Sequence, residues 1–283
     1  MGVNTRNRKN VFAGWEFDAG RLYKGDPLTP DEREEFEEDL IAFCDRELAL
    51  LGDVRSLDVL YAGGSSLLWL ESLSQRIGEG GRLTALDLDA GRLEEVRELL
   101  EAADLTSPVR LVAGDVFEPP FELQTFDLVY SAGLFHELDV REQAVGEALM
   151  ALAFATRPGG WIATSDFVDS VPAVQLEDEE LQRELAREVS GAEFYGIGSP
   201  ERLIALYESL LNDVRWRSSP PYEIRHMDRV VLSEDERPEE RLSVEKAERF
   251  RKRRKVLRDR IQREGYTRPA TLYVEGRVAN APG

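Results

Sequence analysis

The chain has 283 residues, of which 42% are hydrophobic, and this is enough to bury a large core within one main domain. Its formal net charge of −19 disfavours non-specific binding to nucleic acid, because phosphate backbones are bound by positive surfaces. No apolar run is long enough to cross a membrane, and the single cysteine and two histidines do not suffice for an internal disulfide or a structural zinc site, so we expect an acidic cytoplasmic protein without a metal.

The N-terminal segment, residues 1–52, combines an irregular lead-in with a helix. Its first ten residues are polar and do not resemble a secretory signal. Thr29, Pro30 and Glu32 predict the start of the helix, since Thr29 can cap it, proline suits its first position, and an acid at the third position completes a capping box. Apolar residues then recur at helical spacing as far as Gly52.

Two aromatic stretches outside the core pattern are candidates for a lid over a ligand, and residues 1–52 are the expected lid segment. The same side chains would serve equally well to cover the sheet. They lie in glycine-rich surroundings and comprise Trp15, Phe17, Tyr23, Phe194, Tyr195 and Ile197.

From residue 57 onward, short apolar runs alternate with helical stretches. Strands are predicted at 57–60, 82–86, 109–112, 126–130, 161–164, 214–217 and 271–278. Helices are predicted at 67–77, 90–103, 140–156, 177–190, 199–211 and 243–264. This alternation predicts an α/β fold with a doubly wound, mostly parallel, seven-stranded sheet. We assign residues 53–283 to this domain, with helical inserts at about 171–198 and 223–268.

Small or acidic residues follow the first four strands, at 62–66, Asp87, Asp115 and 131–133. In an open α/β sheet such strand ends lie side by side and form a ligand-binding crevice. The small residues of the first turn let the backbone and a helix N-terminus approach a ligand closely. Asp87 can accept hydrogen bonds from both hydroxyls of a ribose, and Asp115 can accept one from the exocyclic amine of a base. The pattern predicts a site for a nucleotide-like cofactor.

These motifs resemble those of the class I S-adenosylmethionine-dependent methyltransferases over residues 57–168. The resemblance rests on four stretches in the same order and spacing, 80–89, 114–116, 126–131 and 157–160. It implies a Rossmann-like fold whose seventh strand enters antiparallel between the fifth and sixth. It also implies S-adenosylmethionine as cofactor, S-adenosylhomocysteine as product, and a small-molecule acceptor.

The resemblance further implies which residues contact the cofactor. Asp87 would hold the ribose, Asp115 and Val116 the adenine, the first turn the methionine portion, and residues 131–133 the floor beneath the sulfonium. The full set of expected cofactor residues is Tyr61, Ala62, Gly63, Gly64, Ser65, Asp87, Leu88, Asp115, Val116, Ser131, Ala132 and Gly133.

One position departs from the family pattern. The family carries an acidic residue near the end of the first strand, where this chain has Tyr61 followed by Gly63, Gly64 and Ser65. A neutral phenol cannot supply the charge that helps to hold the methionine ammonium, and such a charge-assisted contact contributes about 1.5 to 3 kcal/mol. Cofactor binding is therefore expected to be weaker or rearranged.

Three functions remain open at this point. The first is an enzyme that methylates a small molecule, with O-methylation ahead of C- or N-methylation. The second is a methyltransferase-like binding or regulatory protein without turnover, which the altered first turn suggests. A nicotinamide-dependent dehydrogenase comes third, because no Gly-x-Gly-x-x-Gly motif follows the first strand.

Two side chains beyond the cofactor motifs are catalytic candidates. His136 follows the fourth strand near the reactive end of the crevice and can act as a general base, since an imidazole titrates near neutrality. The alternative is a helix-start histidine that is hydrogen-bonded to backbone. Asp166, after the fifth strand, is the second candidate.

Two further motifs have simpler explanations than a role in binding. Residues 219–222, Ser-Pro-Pro-Tyr, resemble the tetrapeptide with which DNA methyltransferases bind a flipped base. They follow the sixth strand instead of the fourth, so we predict a proline turn.

Nine basic residues lie between 249 and 263 in an otherwise acidic chain. We expect them to be solvated or paired with the acidic body; the alternative is a docking surface for an anionic substrate or an acidic partner.

Overall fold

A computed structural model describes residues 28–101, 103, 105–233 and 242–279. The candidate lid residues Trp15, Phe17 and Tyr23 lie outside this part of the chain. The seven strands are β1 (Asp58–Ala62), β2 (Arg82–Asp87), β3 (Val109–Ala113), β4 (Phe126–Ala132), β5 (Thr156–Val168), β6 (Asn212–Ser219) and β7 (Ala270–Arg277). The helices are α1 (Pro30–Leu48), α2 (Leu67–Ile77), α3 (Ala90–Leu100), α4 (Val145–Ala155), α5 (Val174–Ser190), α6 (Pro200–Leu210), α7 (Met227–Ser233) and α8 (Val244–Glu264).

All seven strands belong to one sheet, in the order β3-β2-β1-β4-β5-β7-β6. The first five strands pair in parallel, and β7 runs antiparallel to both β5 and β6. Apolar side chains from alternate strand positions form a buried cluster on each face of the sheet, beneath the helices that cover it. The predicted doubly wound, mostly parallel fold is confirmed.

Helix α1 begins as the sequence predicts. The Thr29 hydroxyl accepts a hydrogen bond from the Glu32 backbone N–H at 3.4 Å, and the Glu32 carboxylate accepts one from the Thr29 N–H at 2.8 Å. The helix then packs against α2, where Cys44 and Leu48 join the core. This part of the N-terminal segment is therefore attached to the body of the domain.

The predicted helix at 140–156 is wrong at its start, because α4 begins only at Val145. The preceding residues pair in extended conformation with the segment after α5: the Val140 N–H donates to the Glu193 carbonyl at 2.7 Å, and the Tyr195 N–H donates to the Leu138 carbonyl at 2.8 Å. These long-range bonds outweigh the local helical pattern. The short helix α7 was not predicted.

The predicted turn at 157–160 lies within β5. The pairing of β4 with β5 shifts from Phe126 opposite Thr156 to Leu128 opposite Trp161, so the extra residues form an irregularity in the strand. Gly159 adopts a φ of 79°, which glycine tolerates. The paired register with β7 begins at Trp161, and two bonds continue it into this segment: the Gly159 N–H donates to the Val278 carbonyl and the Val278 N–H donates to the Gly160 carbonyl, both at 3.0 Å.

The basic helix α8 lies against the acidic helix α5. Lys246 pairs with Glu188, Arg253 with Glu184, and Arg260 with Glu177. Each exposed pair contributes about 0–1 kcal/mol, so the main effect of the array is to set the register of two helices that also share an apolar cluster.

In the described residues, no helix combines the length and the apolar content that a membrane span needs.

Candidate functional site

A cavity of about 720 Å³ opens along the carboxyl ends of the parallel strands. Small-molecule sites have volumes of about 300 to 1,000 Å³, so this one can hold a sizeable ligand. Most of the residues predicted from the sequence line it together, namely Tyr61, Gly63, Ser65, Asp87, Leu88, Asp115, Val116, Ala132, Gly133 and His136.

Three expected residues do not line the cavity. Ala62 is fully buried in the core on the opposite face of β1 from Tyr61, as strand alternation requires. Gly64 is not part of the wall, although the residues on either side of it are nearby. The Ser131 hydroxyl is buried within the sheet and donates to the Thr164 hydroxyl at 2.7 Å.

The first turn is fastened to the neighbouring strand. The backbone N–H groups of Gly63 and Gly64 donate to the Leu86 carbonyl at 2.8 and 2.9 Å. These two donors are therefore used within the protein, contrary to the expectation that the turn offers its N–H groups to a ligand. Ser65 and Ser66 remain at the cavity wall, next to the N-terminus of α2.

The two carboxylates at the strand ends are held by local hydrogen bonds. Asp87 Oδ1 accepts from the Asp89 N–H at 3.0 Å, and Asp115 Oδ1 accepts from the Phe117 N–H at 2.9 Å. Neither carboxylate has an ion pair with another described residue. Each therefore has a fixed orientation and a second oxygen that is available to a ligand.

Tyr61 occupies the position where the family carries an acid. Its side chain is 2% exposed, and its ring stacks on that of Tyr130 with centroids 5.9 Å apart and planes 19° from parallel. Burial, reinforced by Tyr130, raises the pKa of the Tyr61 phenol well above its ordinary value. The group is therefore neutral at every pH at which the protein would work.

His136 is held by a buried carboxylate. Its Nδ1 lies 2.5 Å from Asp166 Oδ1, while Asp166 Oδ2 accepts from the Phe135 N–H at 2.8 Å and the His136 N–H at 3.3 Å. The alternative expected from the sequence, a ring bonded to backbone, is wrong, because its partner is the second catalytic candidate, Asp166. The ring's other nitrogen, Nε2, lies 3.8 Å from Glu137 Oε1.

The electrostatic setting favours the protonated imidazole. Burial lowers the pKa of His136, but the adjacent Asp166 carboxylate more than offsets this and raises the pKa to about 9. Glu137 adds a smaller effect in the same direction. The pair thus provides a proton-binding group at the cavity wall whose orientation is fixed from behind.

Five residues at the far end of the cavity were missed by the sequence analysis. They are Phe43, Glu47, Trp69, Arg268 and Thr271. One signal for them was present, because Glu47 follows Phe43 by four residues and so places an acid on the apolar stripe of α1.

Among the lid candidates, Phe194 lines the cavity and Tyr195 lies under the Arg202 guanidinium. No cluster of three or more metal-ligating side chains occurs in the described residues.

Comparison with known proteins agrees with this geometry. Residues 59–160, which carry the first turn, both strand-end carboxylates and His136, match a family described as "Methyltransferase domain". Residues 59–160 therefore carry a methyltransferase domain, as the motifs that resemble the class I S-adenosylmethionine-dependent type predict. A curated relative, the ubiquinone/menaquinone biosynthesis C-methyltransferase UbiE of Idiomarina loihiensis, is 28% identical over 120 residues. That match covers 42% of this chain and 45% of the relative, so it spans less than half of either protein.

Solved structures share this fold over most of the chain. A proposed sarcosine dimethylglycine methyltransferase from Galdieria sulphuraria has a TM-score of 0.58 at 17% identity, over 97% of this chain and 99% of that one. The geranyl diphosphate C-methyltransferase of Streptomyces coelicolor A3(2), solved with S-adenosylhomocysteine, has a TM-score of 0.51 at 11% identity, over 84% of this chain and 76% of that one. The [4+2]-cyclase SpnF has a TM-score of 0.55 at 11% identity, over 96% of this chain and 94% of that one.

Proposed function

We propose that this protein transfers a methyl group from S-adenosylmethionine to a small-molecule acceptor, and that the methylated atom is an oxygen. The observation that carries the proposal is the placement of Asp87, Asp115 and His136 around one cavity. The cavity thus combines two carboxylates suited to a nucleoside with a group that binds a proton.

The cofactor would extend across the ends of β3, β2, β1 and β4. Asp87 and Leu88 would bind the ribose, and Asp115 and Val116 the adenine, since these pairs lie at the ends of adjacent strands. Tyr61, Gly63 and Ser65 would surround the methionine portion, with Ala132 and Gly133 beneath the sulfonium. Ala62, Gly64 and Ser131 would support this site from behind, because they lie outside the cavity wall.

S-adenosylmethionine, when bound, supplies a methyl group on a sulfonium for in-line transfer. The protein's task is then to align the acceptor and exclude water. A hydroxyl acceptor must lose its proton, and His136 Nε2 would receive it, because Asp166 holds Nδ1 and leaves Nε2 as the nitrogen that can face the acceptor. The positive charge of the cofactor would lower the pKa of His136 and favour the neutral imidazole that acts as a base. A cavity that contains a candidate base therefore supports an oxygen acceptor over a nucleophile that has no proton to lose.

The alternative is a methyltransferase-like binding protein without turnover. The buried, neutral Tyr61 favours it, because the methionine ammonium loses the acidic partner that the family usually provides. The [4+2]-cyclase SpnF also has this fold, so the fold alone does not determine the reaction.

Titration calorimetry tests the proposal. We expect S-adenosylhomocysteine to bind with one site per chain and NAD to give no heat of binding. Binding of NAD alone would contradict the assignment. Binding of S-adenosylhomocysteine without methyl transfer from S-adenosylmethionine to any member of a panel of small hydroxyl, carbon and amine acceptors would favour the noncatalytic alternative.

A further inference from the structure

The end of the cavity beneath α1 carries two charged groups, Arg268 and Glu47, and each has a buried polar atom that makes no hydrogen bond to the described residues. The Arg268 guanidinium lines the cavity and makes no side-chain hydrogen bond or ion pair with any described residue. Its Nε atom is buried, so water does not reach that donor. A buried donor without an acceptor is costly, which indicates that a ligand completes it.

Glu47, at the same end of the cavity, has a buried acceptor atom without a donor. Its side chain is 1% exposed, and its Oε1 atom accepts from the Thr271 hydroxyl at 3.2 Å and from Arg46 Nη2 at 2.9 Å. Its Oε2 atom is buried and has no hydrogen-bond partner among the described residues. Glu47 and Arg268 do not form an ion pair within 4.0 Å, so neither satisfies the other.

The strand order separates this region from the cofactor residues. Thr271 lies on β7, and Phe167, which lines the same region, is its partner on β5. Going from β1, the order is β4, β5 and then β7. Because neighbouring strands lie about 4.8 Å apart, β7 is about 14 Å from β1, and Asp87 is one strand further away on β2. This end is therefore on the acceptor side of the cavity.

The surroundings of Arg268 select the shape of its ligand. The guanidinium carbon lies 4.8 Å from the centre of the Phe43 ring and 5.2 Å from that of Phe167. These contacts hold the planar group in place, and its fork of N–H donors matches a carboxylate. Burial lowers the pKa of Arg268 from its ordinary value, but a guanidinium stays charged in proteins.

We propose that the acceptor is a small, flat carboxylate whose anionic group binds Arg268 and whose body lies near Phe43 and Phe167. A hydroxyl or N–H donor on the same molecule binds the free oxygen of Glu47. This assignment rests on the proposed methyltransferase function and names its substrate class. It places the recognition of an anion in the cavity wall, whereas no residue of the basic helix α8 lines the cavity, and Lys246, Arg253 and Arg260 of that helix pair with α5.

Calorimetry with matched acids and amides tests the assignment. Benzoate and the three hydroxybenzoates are titrated into the protein saturated with S-adenosylhomocysteine, alongside the corresponding benzamides. For the parent we expect at least one carboxylate to bind about tenfold or more tightly than its amide, because the charge-assisted bidentate contact requires an anion. Arg268→Gln should remove this preference.

Arg215→Gln is the matched control. Arg215 is also a guanidinium over an aromatic ring, 5.5 Å from the centre of Trp161, but it is 71% exposed and lies outside the cavity. The control loses the same charge and should keep the parent's preference for carboxylates. Arg268→Lys provides a second variant, which keeps the charge but lacks the planar fork, and its preference should fall between those of the parent and Arg268→Gln.

The outcomes separate this inference from the proposed function. S-adenosylhomocysteine affinity is measured on the same samples and should stay within about twofold of the parent in all variants, which also reports that each variant is folded. If the cofactor product binds but every acid and its amide bind equally, or not at all, the carboxylate assignment is overturned and the methyltransferase proposal stands. If S-adenosylhomocysteine does not bind to the parent, the proposed function itself fails.

Discussion

The ring of Tyr61 packs against the backbone of Gly64. A β-carbon at position 64 would lie 2.5 Å from the Tyr61 carbonyl oxygen and 2.8 Å from its ring, closer than real side chains approach. Tyr61, at the position of the family's acid, therefore packs in a space that only a glycine at position 64 leaves open. A substitution at either position has to be interpreted as a change in the core as well as in the site.

Tyr61→Asp is expected to destabilise the protein. The side chain is buried and stacked on Tyr130, so the change leaves a cavity and buries an unpaired carboxylate, at a combined cost of about 3–5 kcal/mol. Urea denaturation measures the loss. Tyr61→Phe keeps the ring and serves as the control, with nearly parental stability. A stable Tyr61→Asp variant that binds S-adenosylmethionine more tightly, without a change for 5′-methylthioadenosine, would instead show that this side chain reaches the methionine end.

Asp87→Ala should weaken cofactor binding without affecting the fold. Loss of an acceptor for the ribose hydroxyls reduces the affinity for S-adenosylhomocysteine by about 1.5–3 kcal/mol. The melting temperature of the unliganded protein should hardly change, because the only side-chain hydrogen bond that Asp87 makes in the described chain is the one it accepts from the Asp89 N–H.

Asp89→Ala is the matched control for Asp87→Ala. Asp89 caps α3 through a 2.9 Å hydrogen bond from the Arg92 N–H, so its loss should cost about 1 kcal/mol of stability. Affinity for S-adenosylhomocysteine should stay close to that of the parent. The opposite pattern, with affinity lost at position 89 and kept at position 87, would place the ribose elsewhere.

The His136–Asp166 pair predicts a pH-dependent contribution to stability. The pKa of His136 rises from its ordinary 6.5 to about 9 in the folded protein, so the folded state binds the proton more tightly than the unfolded state. The resulting stabilisation is complete below pH 6.5 and is lost as the pH rises through about 9. Denaturation curves at pH 6 and pH 9.5 should therefore show a larger difference between the parent and His136→Gln at pH 6. An equal difference in stability at pH 6 and pH 9.5 would mean that Asp166 does not raise the pKa of His136 in the folded protein.

The same pair predicts the pH dependence of turnover. If His136 accepts a proton, kcat/KM rises with pH as the imidazole of the free enzyme deprotonates, and His136→Gln removes this rise along with most of the activity. Asp166→Asn tests the orienting role: it should lower kcat and shift the rise to lower pH, because the carboxylate that raises the pKa of His136 is gone. A parental pH profile in His136→Gln would exclude this base.

Arg268→Met should not reduce stability, although it removes a largely buried charged group. The guanidinium has no hydrogen-bond or ion-pair partner in the described chain, so the variant avoids an unfavourable desolvation. Methionine can keep packing against the two phenylalanine rings that the guanidinium contacts. The control is Arg157→Met, where the guanidinium pairs with Asp58 at 3.0 Å and also with Asp127, and where we expect a loss of ~1 kcal/mol. A marked loss at position 268 would indicate that Arg268 has a structural role.

The cofactor half of the cavity could be predicted from the sequence because its residues follow strand ends directly. Asp87 and Asp115 are positioned by the strands that precede them, and no distant contact is needed. Ser131 shows the limit of such reasoning, since a polar residue at a strand end can equally bond to the next strand. Glu47 and Thr271, which bond to each other, are 224 residues apart, and no local pattern brings them together. The burial of Tyr61 likewise depends on Tyr130, which lies in β4, a strand much further along the chain.

The antiparallel direction of β7 affects how this protein can change over time. Because the strand is reversed, its beginning, and not its end, lies at the cavity, and the segment that leads into it from α8 delivers Arg268 there. That segment can lengthen, shorten or mutate while β1 to β4 keep their register. Selection for a new acceptor could therefore act on the chain before β7 alone, and leave the nucleoside-binding strands untouched.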